Sequence, residues 1–243
     1  LFALNRVATC QNISCQETLL VGGPAQADFF DSSSASLVRF NQPSSLALAP
    51  DGSLLVADTS NHRIRRVDLE GGYAVTTLAG SGVQKNSAEP LAQGDGRNLS
   101  LSKLSYPSVL AVHGDTVYMM EKSGANNTNM LGVRYFKYSP EASTTIHTLL
   151  ASESGYWDGP KSRARLFGPE AIAHIPSLGA HLIADANGTS LRYFDVERSE
   201  LTTVAGSLYN LDGTSSENEA LGAPALAGAS GLVFDGAQYV YIS

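Results

Sequence analysis

The chain has 243 residues, 43% hydrophobic and 16% charged, with a formal net charge of -7 and a pI near 5.2. That is the composition of a globular protein with ample core, and its acidic balance, with nothing more basic than the short Arg63 to Arg66 cluster, argues against a nucleic-acid partner. No apolar run approaches the roughly eighteen residues of a membrane helix, so no membrane segment is expected, and a start at Leu1 without Met or a signal-like stretch reads as an excised fragment.

In chain order, the first predicted elements are the run Leu4 to Val7, aligned below with a third strand, and "ETLLVGG" from Glu17, aligned with a fourth. Cys10 and Cys15 flank "QNIS" in the connection between them. A hairpin brings thiols at that spacing within disulfide range, which implies an oxidising compartment; a pair of free thiols is the alternative.

From Phe40 onward the punctuation repeats at intervals of about sixty residues. Phe40 to Pro43, Leu104 to Pro107, Leu166 to Pro169 and Leu226 to Ala229 fall in step. After each comes a first strand: "SLALA" from Ser45, "VLAVH" from Val109, "AIAHI" from Ala171 and "GLVFD" from Gly231. Second strands follow as "LLVAD", "VYMME", "HLIAD" and "YVYIS", antiparallel to the first. Third strands are "RIRRV" from Arg63, "GVRYF" from Gly132 and "SLRYF" from Ser190, which place Arg65, Arg134 and Arg192 in one column. "VTTLAG" from Val75, "IHTLLA" from Ile146 and "LTTVAG" from Leu201 close each unit. An acid recurs before each unit, as Asp31, Asp95 and Asp158, with Asp212 beginning the same passage in the last.

Four short strands per unit without helical periodicity require an all-β fold, a β-propeller whose blades bury their faces against neighbours. The expected blades are 1–23 (the end of one), 40–80, 104–152, 166–207 and 226–243 (the start of the next). The pattern "FxxPxxLAxxxDGxLxVADTxNHRIRxxD...TTLAG" resembles the NHL repeat, with its Asn-His-Leu box written "NHR" at Asn61 to Arg63. The resemblance spans nearly the whole chain and is weakest in the blade at Leu104, where Glu121 replaces the Asp. The two ends can complete one blade of a four-bladed ring. Propellers of the family it resembles have about six blades, so the expectation is a part of a larger NHL-type ring.

Asp58 and Asp185 end second strands, where a carboxylate accepts hydrogen bonds from the amides of the following turn, and the Arg column is expected to pack between blades and pair with acids. These five residues therefore read as structural. Some propellers that this one resembles are metal-dependent lyases or hydrolases, whose ligands converge on the central channel. The histidines here do not follow that pattern: His113 and His174 align on opposite faces, His62 is in a turn, His147 in a fourth strand and His181 at the start of a second. No GxSxG, HExxH or P-loop pattern occurs, so no enzyme activity, cofactor or metal is expected unless the ligands lie outside this segment.

Four N-x-[ST] sequons, at Asn12, Asn98, Asn126 and Asn187, fall in turns or loops. The last three are expected on one face of the blades and Asn12 on the other. With the cysteine pair they point to a secreted or luminal glycoprotein, in which the propeller serves as a non-catalytic scaffold or module for protein partners.

Overall fold

The computed structural model describes residues 7–11, 14–18, 21–22, 28–85, 95–122, 130–141, 144–151, 155–185, 189–206, 229–237 and 239–243. Its described regular structure is strands and four 3-10 turns of three residues each. The hairpin β1 (Val7–Gln11) and β2 (Ser14–Thr18) comes first. A four-stranded sheet follows: β3 (Pro43–Leu48), β4 (Leu54–Asp58), β5 (Arg63–Val67) and β6 (Val75–Ala79). Next are β7 (Pro107–His113), β8 (Thr116–Lys122), β9 (Met130–Lys137) and β10 (Ile146–Ala151). The third large sheet has the short β11 (Gly159–Pro160) beside β15 (Glu200–Gly206), then β14 (Ser190–Asp195), β13 (Ala180–Asp185) and β12 (Ala171–Ile175). The hairpin β16 (Leu232–Phe234) and β17 (Val240–Ile242) ends the described chain. The four longer strands of each large sheet run in sequential order, so the connections among them are local reversals; β11 alone joins out of order, at the edge beside β15.

Of the expected third-strand run Leu4 to Val7, residues 4–6 lie outside the described residues; from Val7 the strand continues to Gln11, and pairing Val7 with Thr18 and Gln11 with Ser14 puts both cysteines inside the ladder instead of in a connection. The fourth strand starts earlier than Glu17, at Ser14.

The chain divides into two compact units, one of Leu1–Asn86, Gly94–Val117 and Phe136–His147, the other of Ser87–Gln93, Tyr118–Tyr135 and Thr148–Ser243. In the first unit, β3 alternates half-buried and exposed residues, while "LLVAD" of β4 is buried on both faces after its first residue. A second strand is central in its sheet and covered on both sides, so it reads as a continuous apolar run rather than an alternating one. Val38, Val56, Val67 and Val75 form the core on this sheet, with Phe40 and Leu54 against it. β3 also meets β7: Ser44 Oγ donates to the Ser108 carbonyl (2.8 Å), and Leu110 N donates to Ser45 Oγ (3.0 Å). In the second unit Ala171, Ala173, Leu182, Ala184, Leu191 and Leu232 form the corresponding core. Here too the second strand, β13, is buried throughout.

Two fourth strands, β6 and β15, run into a Gly for a steric reason. Gly80 and Gly206 adopt φ of +96° and +84°, and a Cβ there would collide with the carbonyl oxygens of His62 and Thr189, where the third strand begins.

Candidate functional site

The charged residues that recur in register are gathered into buried cages. In the first unit Arg65, fully buried, sends Nη1 to Asp58 Oδ2 (2.7 Å) and the Arg39 carbonyl (3.1 Å), Nε to Asp31 Oδ1 (2.9 Å), and Nη2 to the Phe30 carbonyl (3.0 Å). Arg192 repeats this in the second unit, with Nη1 to Asp185 Oδ2 (2.8 Å) and Nη2 to Asp158 Oδ1 (2.7 Å) and the Trp157 carbonyl (3.1 Å). Arg134 meets Glu121 at 3.3 Å, both side chains essentially buried.

At Asp58 the backbone donor differs from expectation. Asp58 takes its hydrogen bonds from Asn41 N (2.7 Å) and Asn61 Nδ2 (2.9 Å) rather than from the backbone of the turn that follows. Asp185 Oδ1 accepts from Phe167 N and Gly168 N, again in the segment before the first strand. The carboxylate therefore ties the second strand to the entry of its own sheet. Burial pushes the Asp58 carboxyl upward, opposed by Asn41 N–H, Asn61 and the Arg65 charge.

The third member of each cage, Asp31 or Asp158, is visible in the sequence only as a recurring acid. Its partners depend on a ladder irregularity. Register shifts between Ile64 and Arg65 and between Leu191 and Arg192 leave Leu78 and Val204 as extra residues on the fourth strands, each directly after the Thr that faces the acid. Thr77 N and Oγ1 then donate to Asp31 Oδ2 (3.0 and 2.8 Å), and Thr203 N and Oγ1 donate to Asp158 (2.8 and 3.0 Å). The "TT" of "TTLAG" and "TTVAG" was the available signal.

Asp51, in the β3–β4 turn, accepts from Ser53 N (3.0 Å), Arg66 Nη2 (2.9 Å) and the Tyr138 hydroxyl (2.8 Å), while that hydroxyl accepts from Arg66 Nε (3.0 Å). Burial alone would raise Asp51; the bonds from Ser53, Arg66 and Tyr138 outweigh it and hold the carboxyl well below the usual range.

Two of the histidines, in neighbouring strands of one sheet, meet. His174 and His181 face each other across β12–β13, ring centroids 4.6 Å apart, with Tyr118 edge-on to His181 at 4.7 Å. The tight 3-10 turn Pro176–Leu178 sets this register, which alignment of the repeats could not show. His62 accepts a hydrogen bond from Tyr106 N at Nδ1 (3.2 Å), and burial, then the Arg63 charge, lower its pKa. Among the described residues, no three His, Cys, Asp or Glu side chains come together to hold a metal ion.

Cys10 and Cys15 are directly opposed in the β1–β2 register. Of the sequon asparagines, Asn98 starts a 3-10 turn, its Oδ1 accepting from Ser100 N (3.0 Å) and Oγ (2.9 Å). Asn12, Asn126 and Asn187 lie outside the described residues.

Sequential four-stranded antiparallel sheets, repeating with the same internal ion cage, define an all-β protein of β-propeller-like fold. Residues 40–67, within the sheet that carries Asp58 and Arg65, match the NHL repeat family model, so the chain carries an NHL repeat there. The bovine NHL repeat-containing protein 2 is 43% identical over 61 residues, covering 25% of this chain and 8% of its own. Protein SUPPRESSOR OF QUENCHING 1, chloroplastic, of Arabidopsis thaliana is 25% identical over 170 residues, covering 69% of this chain and 15% of its own. The chain thus spans less than a sixth of the length of the curated relatives it matches. Among solved structures, an auxiliary nutrient binding protein from Bacteroides ovatus shares the fold, with a TM-score of 0.54 and 15% identity over 85% of this chain and 46% of that one.

Proposed function

We propose that this chain is part of a larger NHL-type propeller of about six blades, acting as a non-catalytic interaction or scaffold module of an extracellular or luminal glycoprotein. The observation that carries the reading is the fate of the recurring charges. Asp58, Arg65, Asp185, Arg192, Glu121 and Arg134 are all buried and engaged with one another, so the repeat spends its ionisable groups on holding sheets together. Protein recognition is then left to loops and edges carried on a rigid frame. The opposed Cys10 and Cys15 support the compartment, because facing residues of an antiparallel pair lie about 4.5–5.5 Å apart at Cα, inside the disulfide window of about 4.4–6.8 Å. Asn98 supports it too: its carboxamide oxygen is occupied by Ser100, and no hydrogen bond engages Nδ2 among the described residues.

The test is peptide mass spectrometry of natively sourced protein without reduction, with intact mass before and after deglycosylation. A Cys10–Cys15 cross-linked peptide and loss of glycan mass, with Asn98 among the modified sites, are expected. Free thiols together with no mass loss would remove the compartment assignment. Metal analysis and lyase and hydrolase assays on the complete protein test the non-catalytic part, and a stoichiometric metal with turnover would overturn it.

A further inference from the structure

The four first strands carry a large apolar residue at one shared position, the third after the Pro or its equivalent: Leu46, Leu110, Ile172 and Leu232. Leu110, Ile172 and Leu232 are 7%, 4% and 8% exposed, whereas Leu46 is 48% exposed. Two residues on, and therefore on the same face of the strand, Leu48 is 64% exposed while its equivalents Val112, His174 and Phe234 are half-buried. One repeat position thus has two fates.

The difference lies in the sheet that comes before. β3 lies against β7 through the hydroxyls of Ser44 and Ser45, Tyr118 of β8 stacks on His174 at 5.9 Å, and Leu232 shares a core with Ala171 and Ala173 of β12. Behind β3 the cover is only half present. Leu46 pairs with Val56 and Leu48 with Leu54, so all four share one face of the first sheet. Val21, which follows β2, closes the outer part of that face by packing with Val38, Val56, Val67 and Val75. Among the described residues nothing closes the inner part, where Leu46 and Leu48 stand open. The hairpin β1–β2, aligned in sequence with a third and a fourth strand, is a two-stranded sheet, so β1 has one unpaired edge among the described residues.

The surfaces that receive this face elsewhere have a common make-up. Directly after the large apolar residue, and so on the other side of the strand, stand Ala47, Ala111 and Ala173. Ala47 pairs with Leu55, and Ala173 with Leu182, so each alanine shares its face with a leucine of the second strand. Ala173 and Leu182 belong to the core that takes up Leu232. A methyl group on the first strand leaves the room that a Leu or Ile of the next sheet fills.

We infer that the open face at Leu46 and Leu48 is the docking surface for the first-and-second-strand hairpin of one further repeat, on the same polypeptide but outside residues 1–243, with Ala on its first strand and a large apolar residue opposite on its second. This rests on the larger-propeller reading and names where an additional blade joins. Continuity with the interfaces already formed selects the occupant, because this face is covered by such a hairpin where the structure shows its cover. The free edge of β1 fits the same occupant: the hairpin's second strand can extend the β1–β2 ladder and complete a four-stranded sheet.

The experiment is hydroxyl-radical footprinting of the complete, unmodified protein, read residue by residue by mass spectrometry, and then photo-crosslinking of the same protein made with photo-leucine. Leu101 and Leu178, 69% and 60% exposed, are the internal references. Leu46 and Leu48 are expected to be oxidised at least about tenfold more slowly than both, and their crosslinks to land on the first or second strand of a repeat outside residues 1–243. Oxidation at the reference rate overturns the inference and leaves the module reading standing. So does a crosslink between two copies, recognised in a mixture of light and heavy chains, or to a different protein. Protection without a crosslink to such a repeat overturns the occupant. A crosslink confined to residues 1–243 overturns it together with the larger ring.

Discussion

Replacing Arg65 by leucine isolates the contribution of one cage. The substitution removes the only counter-charge that Asp58, whose side chain is fully buried, has among the described residues, and also the bonds to Asp31 and to the Arg39 and Phe30 carbonyls. Asn41 N and Asn61 Nδ2 remain on Asp58, but neither carries charge. Asp31 is 34% exposed and keeps Thr77, so its share of the loss is small. An unpaired carboxylate left in the interior costs about 3–5 kcal/mol, and that is the loss expected at pH 7. Asp58→Asn in the Arg65→Leu background removes the stranded charge while keeping an acceptor for Asn41 N, and it should recover about 2 kcal/mol. The pH dependence has a fixed sign. Burial already raises the Asp58 carboxyl, and loss of Arg65 raises it further. A carboxyl with a folded pKa above its unfolded value binds its proton more tightly when folded, so stability falls as pH rises through the folded pKa and returns below it. The deficit of Arg65→Leu should therefore shrink as pH is lowered from 7, in urea unfolding followed by far-UV circular dichroism. A loss under about 1 kcal/mol, no relief from Asp58→Asn, or a deficit that grows on acidification would refute the reasoning.

Two further outcomes follow from the turns. Gly206→Ala must place a methyl group on the Thr189 carbonyl at φ +84°, whereas Gly52→Ala at φ +80° meets open space; thermal unfolding should show about 1 kcal/mol lost for Gly52→Ala and on the order of 3 kcal/mol or more for Gly206→Ala. Tyr138→Phe removes the hydroxyl shared by Asp51 and Arg66 and should cost about 0.5–1.5 kcal/mol at pH 7. Because Asp51 is held below its unfolded pKa, its stabilisation is present above about pH 4 and fades as pH falls beneath it, so the parent and Tyr138→Phe urea midpoints should converge in acid.

Much of this protein was legible because strands and turns are written locally. Alternation in "SLALA", the doubly buried run "LLVAD" and the Asp51-Gly52 turn each carry their geometry within a few residues, and their repetition placed Arg65, Arg134 and Arg192 in one column. The same repetition exposed Asp31 and Asp158 as recurring acids. What each acid touches was another matter: Arg65 and Asp31 are 34 residues apart, and their meeting depends on a bulge at Leu78 that no propensity announces. The facing of His174 and His181 arises from pairing register, and the donors to Asp58 come from a segment that reaches it only once the sheet has closed on its own entry. Phe30 and Trp157 could be read directly as residues before a recurring acid, but not that their carbonyls are held by Arg65 and Arg192, 35 residues away. Local pattern sets backbone conformation through sterics and hydrogen bonds between near neighbours, whereas partners of buried charge and the exposure of an aromatic depend on which distant segments are brought beside them.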